Sequence, residues 1–161
     1  MDYTTLAEMI MRHEGLRLRK YRCSQNHWSI GYGWNLDANQ LPRDIEAYYH
    51  LYDEITKEMA YRLLMIKITT SEADCREIFP EFDTFTARRK MALIDMVYNM
   101  GAGGVCKFKK MRKAIYAGDW NEAAEQAKDS DYWKHLGGDP EGTDDGKLER
   151  PEEIAAMIRE G

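Results

Sequence analysis

The first third of the chain changes from helical to strand-like spacing of its apolar residues. A helix is predicted over residues 4–12 after a threonine cap, because its apolar side chains recur at helical intervals: Leu6, Met9 and Ile10. Residues 16–21 and 27–32 are rich in strand-forming side chains and are bounded by polar and glycine positions. A small antiparallel sheet should therefore follow the first helix, with a short helix over residues 44–51 after it.

Helical spacing dominates the rest of the chain. The longest pattern should be a helix that begins after a threonine cap and ends before a Phe-Pro pair. The next is apolar almost all round and should form the centre of a larger lobe. The predicted helices cover residues 57–78, 87–100, 105–117, 120–128 and 151–159, and a polar, glycine-rich loop covers 137–149. This order of elements predicts an α+β fold.

Length, charge and cysteine content exclude several classes of protein. A chain of 161 residues is expected to form one domain, and no apolar run approaches the ~18 residues that a membrane span needs. Residues 137–161 account for the whole net charge of −5, so the basic face expected of a nucleic-acid-binding protein is missing. Three cysteines at unpatterned spacings and four scattered histidines suggest neither a disulfide framework nor a metal site. We expect a monomer without metal or cofactor.

Candidate chemistry is concentrated where the first helix gives way to the sheet. Glu14 is followed by Cys23 after eight intervening residues and by Ser29 after five more, and a Gly-Tyr-Gly segment comes next. A single acid at the end of a helix thus faces a short, glycine-bounded strand pair. A glycosidase needs this arrangement, because a carboxyl group must donate a proton while a facing surface holds a water molecule.

This spacing resembles the phage lysozyme (endolysin) family, the T-even type of muramidase. Segments 55–64, 88–108 and 118–133 also resemble the family's linking, central and following helices. The resemblance implies a mostly helical, two-lobed α+β fold with a cleft between the lobes. Its N-terminal lobe would cover residues about 14–56 and its linking helix about 57–79, and the helical lobe would comprise about 80–161 together with the first helix.

The family resemblance implies three catalytic positions and a substrate. The family cleaves the β-1,4 bond between N-acetylmuramic acid and N-acetylglucosamine in the glycan strands of bacterial peptidoglycan. The family's catalytic motif has a Glu, an Asp or Cys, and a Thr. These positions correspond here to Glu14, to Cys23, which is the less common choice, and to Ser29, which replaces the Thr. Glu14 would protonate the leaving oxygen, and Ser29 would orient a water for inversion of the anomeric carbon. A thiol is mostly neutral at pH 7, so Cys23 is expected to shape or weakly assist the water site.

The resemblance also suggests residues that contact the substrate. Arg150 matches an arginine that pairs with the catalytic Glu in the family. The positions that line the family's cleft correspond to Asn35, Tyr98, Met111 and Gln126. Tyr98 could stack on a sugar face or be a core aromatic. Asn35 and Gln126 could bond N-acetyl or hydroxyl groups or be ordinary surface polar residues.

The expected role is that of a phage or prophage endolysin. The N-terminus does not have the pattern of a secretory signal. We therefore expect the protein to accumulate in the bacterial cytoplasm, without stable membrane insertion, until another protein opens the membrane. Two alternatives are a weak or inactive protein that binds peptidoglycan, and a lytic transglycosylase that also uses one Glu.

Overall fold

A computed structural model describes residues 1–128 and 150–161 of the chain. Helices predominate, and three short strands form an antiparallel sheet in the order β1-β2-β3. The helices are α1 (Tyr3–Glu14), α2 (Arg43–Tyr52), α3 (Lys57–Ile78), α4 (Ala87–Cys106), α5 (Lys109–Tyr116), α6 (Trp120–Lys128) and α7 (Arg150–Glu160). The strands are β1 (Arg17–Arg22), β2 (Trp28–Gly31) and β3 (Trp34–Asn35), and a short 3-10 turn covers Phe82–Thr84. The predicted α+β class is confirmed.

The two ends of α1 differ from the prediction. Asp2, and not a threonine, caps the helix, because its carboxylate accepts a hydrogen bond from the backbone N–H of Thr4 at 2.9 Å. The helix also continues past Arg12 to Glu14, where Gly15 adopts a positive φ of 68° and ends it. Glu14 is therefore the last helical residue, held by a rigid element immediately before the sheet.

Helix α3 has the predicted bounds, because both of its ends carry strong signals. The Thr56 hydroxyl accepts a hydrogen bond from the backbone N–H of Met59 at 3.2 Å, and Pro80 follows shortly after the last turn. One face of α3 is buried against the sheet and against α4. The helix thus contacts both the sheet and the larger helical assembly.

Helix α4 is the most deeply buried element, as its apolar composition predicts. Its central residues, Ala92 to Val97, are at most 2% exposed, and the helix packs against α3 and α7. The helical geometry is interrupted at Gly101, where the prediction ended the helix. Gly101 has non-helical angles (φ 72°, ψ 165°) that produce a kink, and helical turns resume as far as Cys106. The kink lies two residues after Asn99.

Other differences concern short segments. The sheet has a third strand, β3, that the sequence prediction did not include, because two residues are too short for a recognisable alternation. The predicted loop at 137–149 lies outside the described residues. Among the helices of residues 1–128 and 150–161, none combines the length and the apolar character needed to cross a bilayer.

Candidate active site

A cleft of about 490 Å³ lies where the sheet meets the helices. Side chains from α1, the β1–β2 hairpin, α3, α4 and the start of α7 line it. The cleft brings together Glu14, Cys23 and Ser29 from three separate elements, and Asn35, Tyr98 and Arg150 also line it. A sugar chain could therefore contact the acid on one side and the hairpin on the other.

Glu14 is partly buried at one side of the cleft. Its side chain is 15% exposed, and its Oε1 atom accepts two hydrogen bonds. Arg150 Nη1 donates one at 2.9 Å, and Asn99 Nδ2 donates the other at 3.1 Å. These two donors come from α7 and α4, so the carboxyl group is held by helices that lie far apart in the sequence.

The second oxygen of Glu14 lies against the backbone of Gly33. A Cβ atom added at Gly33 would come within 2.8 Å of Glu14 Oε2, and Gly33 has a φ of 74°. Both the contact and the positive φ disfavour any other residue at this position. The Gly-Tyr-Gly segment is thus required in part because the acid lies directly on it.

Arg150 links Glu14 to a second buried acid. It donates to Asp95 through Nε at 2.8 Å and through Nη2 at 2.9 Å, so the contact with that carboxylate is bidentate. Burial disfavours the charged guanidinium, but the carboxylates of Asp95 and Glu14 raise the pKa of Arg150 above its ordinary value. The arginine therefore stays charged beside Glu14.

Asp95 is fully buried and needs its own charge compensation. Burial alone would raise its pKa, but the charge of Arg150 and a hydrogen bond with His13 lower the pKa below the ordinary value of 3.8. His13 Nδ1 lies 3.1 Å from Asp95 Oδ1, and His13 Nε2 lies 2.9 Å from Glu153 Oε2. A continuous polar chain thus runs from the cleft, through the core, to Glu153 near the surface.

The opposite side of the cleft is the β1–β2 hairpin. Cys23 follows β1 and is half-buried, and its backbone N–H donates to the carbonyl of His27 at 3.0 Å. Ser29 lies on β2, is 3% exposed, and pairs with Tyr21 of β1 and Asn35 of β3. On this side the cleft is lined by the thiol residue Cys23 and the hydroxyl residue Ser29, and neither position carries a carboxylate.

Arg22, which directly precedes Cys23, is bound within the hairpin. Its guanidinium carbon lies 4.3 Å above the centre of the Trp28 ring, and Nη1 donates to the carbonyl of Asn26 at 2.6 Å. The guanidinium is therefore engaged by the hairpin itself. These two contacts connect Arg22 to the turn in which Cys23 lies.

Two of the residues suggested for substrate contact line the cleft but already have other contacts. Asn35 Oδ1 accepts hydrogen bonds from the backbone N–H groups of Asp37 and Ala38, at 2.9 and 3.1 Å. Tyr98 is 2% exposed, and its hydroxyl donates to the carbonyl of Tyr32 at 2.5 Å. The amide nitrogen of Asn35 can still face a ligand, whereas Tyr98 is too deeply buried to offer its ring as a stacking surface.

The other two suggested residues are not among the described residues that line the cleft. Met111 is completely buried on the inner face of α5, beside Ala114 and Ile115. Gln126 lies on α6, and its Nε2 donates to Glu122 Oε1 one turn earlier at 3.0 Å. Met111 is a core residue because its helix buries that face, and Gln126 is held along its own helix.

Sequence reasoning missed Asn99, Asp95 and Lys67. Lys67 lines the cleft from α3, and its Nζ donates to the carbonyl of Gly33 at 2.8 Å. Asp95 gave a recognisable signal, because a lone acid within an apolar helix must have a partner. Asn99 lies between Tyr98 and Met100, and Lys67 lies between Ile66 and Ile68. A single amide or lysine at such a helical position does not by itself indicate a functional site, because polar positions on the exposed face of a helix are common. Within the described residues, no group of three or more His, Cys, Asp or Glu side chains could hold a metal ion.

The sequence of this chain is similar to those of several known proteins. The chain is 31% identical over 149 residues to the pre-baseplate central spike protein Gp5 of Enterobacteria phage T4, which covers 83% of this chain but only 26% of that protein. It is 29% identical to probable T4-type lysozyme 2 of Dictyostelium discoideum, over 80% of this chain and 85% of the relative. An endolysin of Acyrthosiphon pisum secondary endosymbiont phage 1 is 29% identical, over 66% of this chain and 76% of the relative.

The phage lysozyme family model matches residues 11–148, which include Glu14, the hairpin and the whole of α3 to α6. This match covers most of the chain. It agrees with the mostly helical architecture and with the cleft beside the small sheet. The chain belongs to the phage lysozyme family of glycosidases.

Proposed function

We propose that this chain hydrolyses the β-1,4 bond between N-acetylmuramic acid and N-acetylglucosamine in bacterial peptidoglycan, with Glu14 as the general acid. The observation that carries the proposal is the position of Glu14, a partly buried carboxyl group at the side of a cleft in a chain of the phage lysozyme family. The relatives' names include a T4-type lysozyme and an endolysin. Peptidoglycan glycan strands are thus the proposed partner.

Glu14 would donate its proton to the glycosidic oxygen as the bond to that oxygen breaks. The negative charge that then remains on Glu14 would be stabilised by the hydrogen bonds from Arg150 and Asn99. Because these donors are already in place, little reorganisation would be required during the reaction. Asp95 and His13 would contribute by holding Arg150.

A water held on the hairpin side would attack the anomeric carbon from the face opposite Glu14. Ser29 supports this assignment, since its buried hydroxyl lines the cleft on a paired strand. Cys23 would shape the same site without acting as an obligatory base. Attack by water from the opposite face inverts the anomeric configuration.

Analysis of the released muropeptides by mass spectrometry tests the reaction type. Purified sacculi are incubated with the wild type and with Glu14→Gln. We expect fragments that end in reducing N-acetylmuramic acid from the wild type and almost none from the variant. Fragments with 1,6-anhydro ends would instead indicate a lytic transglycosylase, and binding to sacculi without release would indicate a binding protein. Proton NMR of the first product then reports the anomeric configuration.

A further inference from the structure

The turn that joins β2 to β3 is held by two side chains from different helices. Tyr98 of α4 donates its hydroxyl to the carbonyl of Tyr32 at 2.5 Å. Lys67 of α3 donates from Nζ to the next carbonyl, that of Gly33, at 2.8 Å. Lys67 Nζ also lies 4.0 Å from the centre of the Tyr98 ring. We call Lys67 and Tyr98, with the two carbonyls that they bind, the turn clamp.

The clamp acts on the part of the backbone that contacts the acid. Gly33 has its carbonyl bound by Lys67, and its Cα faces Oε2 of Glu14. The two hydrogen bonds from Arg150 and Asn99 hold the opposite oxygen, Oε1. The carboxyl group thus lies between a pair of donors on one side and the clamped turn on the other.

Burial of the Lys67 ammonium is energetically costly, so the contacts that compensate for this cost indicate what the lysine does. Burial lowers the pKa of Lys67, and the carboxylate of Glu14 partly opposes that effect. Arg150 of α7, Asp95 of α4 and Cys23, which follows β1, also act electrostatically on the ammonium, and the Tyr98 ring lies beside it. The cation is retained in a setting that disfavours it, where it binds one carbonyl and one aromatic face.

We propose that Lys67 and Tyr98 are positioning residues, which hold the Tyr32–Gly33 turn and thereby the Glu14 carboxyl in the orientation that proton donation requires. This inference rests on the proposed function of Glu14. Neither residue is assigned contact with the substrate. Their effect is indirect, because a shift of the turn by a fraction of an ångström would let the carboxyl group move away from the glycosidic oxygen.

Steady-state kinetics on soluble peptidoglycan fragments test the proposal with three variants. Lys67→Met removes the cation and keeps the length of the side chain, and Tyr98→Phe removes only the hydroxyl. Lys57→Met is the matched control, since Lys57 is an exposed residue at the start of the same helix. We expect kcat to fall by roughly 10- to 100-fold in the first two variants, with KM changed by less than about threefold, and no change in the control.

The double variant Lys67→Met/Tyr98→Phe sharpens the result. If both residues hold the same turn, the loss in kcat should be clearly smaller than the product of the two single losses. Independent, multiplicative losses would overturn the clamp. An unchanged kcat, or a loss that resides entirely in KM, would do so as well, since the latter would make Lys67 a substrate-binding residue.

Amide hydrogen exchange keeps this test separate from the proposed activity. Lys67→Met should accelerate exchange at the Gly33 and Trp34 amides by at least about tenfold, whereas Lys57→Met should not. Should the wild type hydrolyse nothing, the proposed function fails, but this exchange measurement still decides whether the clamp holds the turn. Equal exchange in Lys67→Met and the wild type would refute it.

Discussion

The two sides of the cleft are built in different ways. On the acid side, Glu14 is held by donors from α4 and α7 and by the backbone of the clamped turn. On the hairpin side, Cys23 and Ser29 belong to one local β-hairpin, whose turn residues 24–27 are exposed. The comparison teaches that the position of Glu14 depends on long-range contacts, whereas the positions of Cys23 and Ser29 depend on local ones. Substitutions on the acid side should therefore have the larger effects.

The acid side also contains most of the buried charge. Arg150 and Asp95 have side chains that are 5% and 0% exposed, and they contact each other and Glu14 or His13. Removing one member of such a buried pair leaves the other without compensation, which is costly in a poorly solvated interior. Stability and catalysis are consequently coupled on this side of the cleft.

The largest effect on activity is expected from Glu14→Gln. The amide keeps the shape of the side chain but cannot donate a carboxylic proton, so kcat on peptidoglycan should fall by ~10²–10⁴-fold. Circular dichroism should show an intact fold. Release of reducing ends from sacculi measures the change, and a variant with more than a tenth of wild-type activity would contradict the role of Glu14.

Arg150→Met should cause the largest loss of stability. Two carboxylates, Asp95 and Glu14, would lose their buried cation, and the free energy of unfolding should fall by about 3–5 kcal/mol. Arg88→Met is the matched control, because Arg88 forms an exposed pair with Glu160 and both side chains are more than half exposed. The control should lose less than about 1 kcal/mol. Urea denaturation compares the two, and equal losses would refute a special role for the buried pair.

Gly33→Ala should lower activity more than stability. Its added methyl group would come within 2.8 Å of Glu14 Oε2 and must displace that carboxyl group or the turn, so we expect kcat to fall by ~10- to 100-fold. Gly103→Ala is the control, since a methyl group added there would meet nothing within 4 Å beyond its chain neighbours and the backbone of its own helix. Kinetics on soluble fragments measure both, and wild-type activity in Gly33→Ala would show that the contact has no consequence.

Lowering the pH should reduce the free energy of unfolding, because Asp95 becomes protonated. Its pKa is lower in the folded chain than the ordinary 3.8, so its stabilising contribution is complete above that value and is lost as the pH falls through the folded pKa. The free energy of unfolding of the wild type should therefore decrease more steeply below pH 3.8 than that of Asp95→Asn. Identical slopes in urea titrations at several acidic pH values would rule out this contribution.

The smallest effect is expected on the hairpin side. Cys23→Ala should lower kcat by less than about tenfold, because the thiol is expected to shape the water site and not to act as an obligatory base. Cys23→Asp should retain or improve the rate, since a carboxylate polarises water better than a thiol. Activity as low as that of Glu14→Gln in Cys23→Ala, together with an equally inactive thiol-alkylated wild type, would reverse this ranking.

Local patterns were sufficient for much of the fold. The helix at 57–78 has the predicted bounds, because a cap and a helix-ending Phe-Pro pair lie beside a clear helical period. Helix α6 begins at Trp120 as predicted, after Asp119, whose side chain accepts a hydrogen bond from the backbone N–H of Glu122. The break at Gly101 was predicted, but the helical turns that resume after it and the two-residue strand β3 were not predictable in this way. The resumed turns follow a glycine-rich segment that lacks a helical period, and the strand depends on pairing with a neighbour.

The residues of the candidate site show the same distinction between local patterns and long-range contacts. Glu14, Cys23 and Ser29 lie within sixteen consecutive residues, so spacing and family resemblance could indicate them together. The link between Arg150 and Asp95 joins residues 55 positions apart, and that between Lys67 and Gly33 joins residues 34 apart. Such contacts result from packing of the whole chain, and no local pattern specifies them.

The most direct test of the account is the dependence of the Glu14→Gln defect on the leaving group. A chitooligosaccharide with a 2,4-dinitrophenyl leaving group needs no proton for departure, whereas the natural sugar leaving group does. We predict that the loss in kcat on the activated substrate is at least about 100-fold smaller than the loss on peptidoglycan. An equal loss on both substrates would contradict the central claim that Glu14 donates the proton.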